Sequence, residues 1–473
     1  MPNPEPLATR IRRIETGITP EWPFRTSAPP AYPLAERMAT HAVPGVSIAV
    51  LDGGELAWAK GYGHLVSEGP DLVTEQTLFQ AASISKPVTA LAVMCLVQDG
   101  RLDLDEDVNR YLRSWQVPVN GTWQPRLTLR HLLTHHGGTT VHGFPGYRPG
   151  DPVPTTLQVL DGRPPANTLP VRVTAVPGVH LRYSGGGTTI VHQLLVDLLD
   201  TPFPDLMRDL VLAPLGMTDS TYAQPLPEDR RADAARGHRT GGDPIPGGWA
   251  VYPEMGAAGL WTTPTDLARV ARELQRARRD GRGEILASST VDQMLTGWFD
   301  GPCGLGFFLA GADPILRFGH TGGNEGFRCE MQAYADQGAG VIVMTNSDLG
   351  EALYPEIIGA IAREYNWPLL PGDQLGAFRP HLAPEPLTAD ALTPYAGAYE
   401  LRPDFHIQIT ADGTALSIHL PDQQPIPLVA VSDATFVADA LDIELAFARD
   451  EAGAVTDMTL KQDEMDFAAR RIP

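Results

Sequence analysis

The spacing of hydrophobic and polar positions changes several times along the chain, and each spacing predicts an element. In Val43 to Gly63, Val46, Ile48 and Val50 alternate, Asp52-Gly53-Gly54 supplies turn chemistry, and Leu56 and Trp58 alternate on the return. That is the pattern of a β-hairpin. From Pro87 to Asp99 the chain is apolar nearly all round, as a buried helix is, and Gly100 is its expected stop. Leu127 to His135 is a short helical run, and Thr188 to Leu199 reads as a helix. Thr263-Pro264-Thr265-Asp266 opens another: Thr263 as cap, Pro264 in the first turn and Asp266 near the positive end of the dipole, with a stop at Gly281. Strand-like segments lie around Gly306 to Ala310, Arg328 to Tyr334 and Gly340 to Met344, and Ala352 to Tyr365 reads as a closing helix. Residues 138–180 carry many Gly and Pro and no sustained period, which reads as the wall of a site rather than a linker.

The pattern breaks at both ends. Residues 1–35 are polar and Pro-rich, a surface lead-in. Residues 367–387 carry Pro368, Pro371, Pro380, Pro384 and Pro386, the composition of a semi-rigid linker. From 388 to 473 the period is two: Phe405/Ile407/Ile409, Leu416/Ile418/Leu420, Ile443/Leu445/Phe447 and Met465/Phe467. Six to eight short strands there predict a small antiparallel barrel, expected to shape substrate access rather than chemistry. A mixed helix–strand domain, 36–366, is left between lead-in and linker.

Composition narrows the function. With 57 acidic and 36 basic residues the net charge is −21, which argues against nucleic acid and anionic membranes as partners. Cys95, Cys303 and Cys329 are too far apart for a disulfide framework or a Cys/His metal set, so neither a metal nor a cofactor is expected. The N-terminal stretch has no apolar signal core and no stretch is long enough to span a membrane, so the expected location is the cytoplasm. Lysine occurs only at Lys60, Lys86 and Lys461, which leaves few candidates for lysine chemistry.

The strongest chemical signal is Ser83-Ile84-Ser85-Lys86, placed where the apolar helix begins. Three residues are about one helical turn, so the Ser83 hydroxyl and the Lys86 amine share a face. A serine needs a base to become a nucleophile, and a neutral amine one turn away can serve. Among the lysines, only Lys86 has a serine three residues earlier. His135 and His136 adjoin Gly137-Gly138 without a carboxylate partner and read as packing residues; Cys95 reads as an inert core thiol.

The stretch TLFQAASISKPVTALAVMCLVQDGRLDLDEDVNRYL resembles the nucleophile region of the serine β-lactamase and penicillin-binding superfamily, in its class C β-lactamase-like branch. LTLRHLLTHHGG resembles that branch's RHLLTHTSG segment, Tyr183-Ser184-Gly185 its Tyr-x-Asn motif, and AAGLWTTPTDLARV its Gly-Gly-Leu helix. His320-Thr321-Gly322-Gly323 resembles its Lys-Thr-Gly strand, in the His-x-Gly form of the family VIII carboxylesterase and D-aminopeptidase relatives. The terminal barrel resembles the lipocalin-like module of some of those peptidases. The resemblance implies an α/β fold, with a mostly antiparallel sheet of about five strands between helices and a largely helical lobe. It implies Ser83 as acylated nucleophile, Lys86 and Tyr183 as its proton partners, and an oxyanion hole from the N–H groups of Ser83 and Gly323. His320, Thr321, Gly322 and Gly185 then line the substrate.

Two departures qualify the activity. Gly185 stands where the family has Asn and is expected to leave open space. His320 stands where the family has Lys; an imidazole with an ordinary pKa near 6.5 gives a hydrogen bond rather than a fixed charge at pH 7. The expected function is therefore a serine hydrolase of small-molecule or short-peptide substrates, a carboxylesterase or D-residue peptidase with weak or no β-lactamase activity. The alternative is a penicillin-binding protein, β-lactamase or covalent β-lactam sensor without efficient turnover.

Overall fold

The computed structural model describes residues 6–20, 30–368, 384–402, 405–420, 425–438, 443–450, 452–462 and 465–472. Most of the predicted linker, residues 369–383, lies outside the described residues. By internal packing the chain divides into Leu34–Ile358 and a second unit made of Met1–Pro33 with Gly359–Pro473.

The first unit is built on a wholly antiparallel sheet of six strands, one more than the roughly five expected. The predicted hairpin is present as β1 (Gly45–Asp52) and β2 (Glu55–Gly63). A two-residue ladder joins β3 (Phe79–Gln80) to β4 (Trp261–Thr262) outside the main sheet. The strands β5 (Phe308–Ala310), β6 (Arg317–Asn324), β7 (Phe327–Tyr334) and β8 (Gly340–Thr345) complete the order β2-β1-β8-β7-β6-β5. β1 is buried up to its last residue because it is central and covered. The helix Pro264–Asp280 packs on β1, β2 and β8 through Leu267, Val270, Ala271, Leu274 and Ala277, at helical spacing. Thr263 Oγ1 accepts the Asp266 N–H at 3.1 Å, so the predicted cap is in place.

The helical lobe centres on Ser85–Gln98, almost entirely buried, and on Gly185–Leu199. The second helix begins three residues before the expected Thr188. Three glycines in its first turn are poor helix formers. Ser184 Oγ compensates as N-cap by accepting the Gly187 N–H at 3.0 Å. Two further corrections concern segments too short to show a period. Residues 138–180 contain the helix Thr156–Asp161, closed by a capping box between Thr155 and Gln158. The lead-in contains the helix Leu7–Thr16, whose Arg10 and Arg13 pair with Glu364 at 3.2 and 2.6 Å.

In the second unit eight strands form a closed up-and-down barrel, each bonded to the next in sequence and the last to the first. They are β9 (Gly397–Arg402), β10 (Phe405–Ala411), β11 (Leu416–His419), β12 (Ile426–Ala430), β13 (Thr435–Ala438), β14 (Ile443–Arg449), β15 (Val455–Gln462) and β16 (Met465–Ile472). Closure removes the edges that a small sheet would expose. The period of two sends Ile407, Ile409, Leu416, Ile418, Leu445 and Phe447 inward. Tyr395, Tyr399, Phe436 and Phe447 fill the interior, with Tyr395 4.8 Å from Phe447 and 5.0 Å from Phe436 between ring centroids. No helix among the described residues is long and apolar enough to cross a membrane.

The aromatic cluster generates a stability prediction. Phe436→Ala leaves a cavity beside the Tyr395 and Phe447 rings and should destabilise the barrel by about 3–5 kcal/mol. Urea unfolding followed by near-ultraviolet circular dichroism should show the barrel transition moved to lower denaturant; an unmoved transition would mean the cluster is not the barrel's core.

Candidate active site

Ser83 lies in a single 3₁₀ turn, Ala82–Ile84, that feeds directly into the Ser85–Gln98 helix. The turn is held from several sides. Ala81 donates its N–H to the Leu260 carbonyl at 2.9 Å. Ser85 Oγ donates to the Ala82 carbonyl at 2.5 Å and accepts the Leu260 N–H at 3.0 Å, which aims Ser85 away from Ser83. Ala82 has φ +49°, a left-handed conformation that costs a non-glycine residue about 1–2 kcal/mol and is held by these bonds.

Lys86 is 5% exposed. Its Nζ donates to Ser83 Oγ at 2.8 Å and to the Ala257 carbonyl at 2.9 Å. Ala257 belongs to the one-turn helix Met255–Ala258, so the Gly-Leu motif upstream of Thr263 supplies a lysine acceptor. Lys86 Nζ also sits 5.0 Å from the centroid of the Tyr183 ring, within reach of a cation–π contact. Tyr183 immediately precedes Ser184, the N-cap of the Gly185–Leu199 helix, and that cap fixes where the ring emerges.

The third wall is β6. From His320 to Asn324 the strand alternates, with His320, Gly322 and Asn324 buried and Thr321 and Gly323 exposed, the period of a strand. Gly322 lies so close to the Ser83 turn that a Cβ there would stand 2.2 Å from the Ala81 carbonyl oxygen and 2.4 Å from Cys329 Sγ. Only a residue without a side chain permits that approach. Asn324 ties the same strand to Gln80 and Ala258 by hydrogen bonds of 2.8 and 3.1 Å. β5 pairs with β6 only from Arg317 to Gly319, so the edge from His320 to Gly323 has no partner strand on that side among the described residues.

His320 is almost fully buried, and its Nδ1 lies 2.6 Å from the Thr321 carbonyl. A carbonyl only accepts, so Nδ1 carries the proton and Nε2 the lone pair. Nε2 is buried without a partner. The ring is 5.9 Å from Tyr183 and 5.2 Å from Phe308. Burial, with Lys86 nearby, pushes its pKa down to about 3. This corrects the expectation of an ordinary histidine titrating near 6.5: His320 stays neutral well below that pH. Gly185 needs a correction too. Its expected open space is taken by Phe144, whose Cε2 would stand 2.7 Å from a Cβ at this position.

The sequence pattern of the Beta-lactamase family matches residues 34–364, across every wall of this site. The chain belongs to the Beta-lactamase family. Residues 383–472 match a second family, described as a domain of unknown function, DUF3471. Penicillin-binding protein 4 of Amycolatopsis lactamdurans is 27% identical over 383 residues, 76% of this chain and 94% of that protein. Esterase EstB of Burkholderia gladioli is 29% identical over 184 residues, 37% of this chain and 46% of that protein. The octameric penicillin-binding protein homologue from Pyrococcus abyssi superposes with a TM-score of 0.59 at 20% identity, over 92% of this chain and 98% of that one; at that identity it supports the fold alone.

Within this Beta-lactamase-family fold the structure adds residues to the site that sequence reasoning assigned to packing or missed. His135 packs against Tyr183 with ring centroids 4.3 Å apart, tilted by 41°, and its Nδ1 accepts the Ser184 N–H at 3.3 Å. Its backbone is left-handed, with φ +59°. Burial, and then the charge of Lys86, holds its pKa well below the usual histidine value. His142 lies 4.9 Å from Tyr183 on another side. Phe308 stacks on Tyr183 at 6.2 Å. The pairing of His135 was not legible because its partners are a ring and a main-chain N–H rather than a carboxylate.

These buried groups set the acid stability. His192, packed on Phe203 at 3.9 Å, is also pushed down to about 3 by burial. Above pH 6.5 the buried histidines His135, His136, His192, His238 and His320, all held below the ordinary value, are neutral in both states and contribute nothing. Below 6.5 the unfolded chain takes up protons that the fold refuses, so each lowers stability as pH falls, His192 and His320 by up to about 1.4 kcal/mol per pH unit toward 3. Glu254, fully buried with both carboxyl oxygens unpartnered, is pushed up to about 8 and acts in the opposite sense between 8 and its ordinary value. It cancels roughly one histidine. The unfolding free energy should therefore fall by about 3 kcal/mol or more between pH 6.5 and 5. Urea titrations at the two pH values check this, and a flat profile would contradict the buried neutral imidazoles.

Proposed function

We propose that this chain hydrolyses ester or amide bonds through an acyl-enzyme on Ser83, as a carboxylesterase or D-residue peptidase with weak or no β-lactamase activity. The observation that carries the reading is the 2.8 Å hydrogen bond from a buried Lys86 amine to the Ser83 hydroxyl at the start of a helix. A hydroxyl in that bond already has a donor on one lone pair, so its own hydrogen passes to the Tyr183 oxygen. The Tyr183 proton passes in turn to the free lone pair of a neutral Lys86 amine, whose two hydrogens are held by Ser83 and Ala257. Ser83 Oγ attacks the substrate carbonyl as that proton departs. The N–H groups of Ser83 and Gly323 receive the oxyanion, each worth about 3 kcal/mol in such a hole. The same pair returns the proton to the leaving group, and water then repeats the sequence in reverse.

His320 supports the choice of substrate. It presents an uncharged acceptor where the family's strand carries a lysine. A substrate carboxylate there gains no charge-assisted bond, whereas an ester or amide loses nothing. The name of Esterase EstB is in keeping with this reading.

Three single variants and one double variant test it. Ser83→Ala should abolish both turnover and covalent labelling by a fluorophosphonate, with the fold intact by circular dichroism. Lys86→Ala and Tyr183→Phe should each lower kcat by about 10²–10⁴, and the double variant should lose little more than the worse single, because the two act as a unit. The substrates to measure are p-nitrophenyl esters, D- and L-aminoacyl anilides and a chromogenic cephalosporin. Labelling that survives Ser83→Ala contradicts the nucleophile. A stoichiometric burst without turnover on every substrate makes the protein a covalent β-lactam binder instead.

A further inference from the structure

Beside the site runs a strip of carbon that the hydrolytic mechanism leaves unused. Val176, Val179, Leu181 and Phe299 are 62%, 56%, 39% and 37% exposed, unusual values for four large apolar side chains in one neighbourhood. Two main-chain bonds seat the segment against the site: Gly178 N–H to the His136 carbonyl at 2.8 Å and Arg182 N–H to the His135 carbonyl at 2.7 Å. His135 in turn packs against Tyr183, two residues beyond Leu181.

Phe299 closes the strip. Its ring lies 4.9 Å from His136 and 5.4 Å from His131, and a Cβ on Gly178 would sit 3.5 Å from its Cε1. Its backbone is left-handed, φ +56°, as is that of Asp300, φ +55°. A bulky residue in that conformation is strained, and such strain persists where the surroundings enforce it. Here they do. Trp298 is stacked under the Arg130 guanidinium at 3.8 Å, and its carbonyl accepts the Gly301 N–H at 3.1 Å. The tight turn holds an aromatic ring out in solvent beside the site.

We propose that this strip receives the apolar part of the substrate, so that the preferred substrate carries a long or bulky hydrocarbon group. The inference rests on the serine-hydrolase reading above. The occupant is the substrate because Leu181 stands two residues before Tyr183 on the same segment, Arg182 N–H is bonded to the carbonyl of His135, which packs on Tyr183, and the Tyr183 ring lies 5.0 Å from Lys86 Nζ. The nearby cation on the segment is turned elsewhere: Arg182 Nη1 donates to Thr174 Oγ1 at 2.7 Å. The surface beside the site therefore offers carbon, and a buried methylene contributes about fourfold in binding.

The test compares p-nitrophenyl acetate with p-nitrophenyl octanoate. Wild type should favour octanoate in kcat/KM by roughly tenfold or more. Phe299→Gly suits the left-handed backbone and removes the ring. Combined with Val179→Ser, it should erase most of that preference while acetate stays within about twofold of wild type; the acetate arm is also the folding control, with Val179→Ser alone as the milder variant. Octanoate hydrolysis unchanged in the variants overturns the inference, and so does an equal fall for both esters. A change from dimer to monomer with the ester profile intact also overturns it, and makes the strip an interface between copies. If wild-type Ser83 labels with fluorophosphonate but does not distinguish the two esters, this inference falls and the hydrolase reading stands. If Ser83 does not label, both fall.

Discussion

A lysine amine taken out of water destabilises a fold unless each of its polar bonds is replaced. Lys86 is buried, and the parts of the site follow from where its replacements come from. One is Ser83 Oγ, three residues earlier in the 3₁₀ turn that feeds its helix; the other is the Ala257 carbonyl, 171 residues away in sequence. Bringing the second to the first requires the β3–β4 ladder and the Leu260 bonds, which set the Met255–Ala258 turn against the start of the Ser85–Gln98 helix. Removing the amine would leave the Ala257 carbonyl buried without its partner, so the residue placed for chemistry also stabilises the junction.

The sheet side obeys a steric constraint instead. β6 can touch the Ser83 turn only because Gly322 has no side chain, and the same strand sets His320 beside Tyr183. Burial there keeps His320 neutral, so the strand offers an uncharged side chain to this wall of the site.

Much of this was legible in the sequence because it is local. The hairpin, the cap at Thr263, the Ser83–Lys86 spacing and the period-two barrel strands each depend on neighbours within a few residues. The parts that were not legible depend on partners far away in the chain. Nothing near Gly185 announces that Phe144 fills its space, and nothing near His320 announces the burial that moves its pKa. His135 looked idle because its partners, the Tyr183 ring and the Ser184 N–H, leave no charged residue to find. The helices Leu7–Thr16 and Thr156–Asp161 were missed for a different reason: two or three turns are too few for a hydrophobic period to show.

The central claim is that the Lys86–Ser83 contact makes Ser83 a nucleophile that is acylated and then released. Rapid-quench mass spectrometry of the wild-type protein mixed with an activated ester tests it most directly. The account predicts a mass increase equal to the acyl group, confined to the peptide containing Ser83, rising before steady state and decaying as substrate is exhausted. Turnover with no adduct, or an adduct on any other residue, would contradict it.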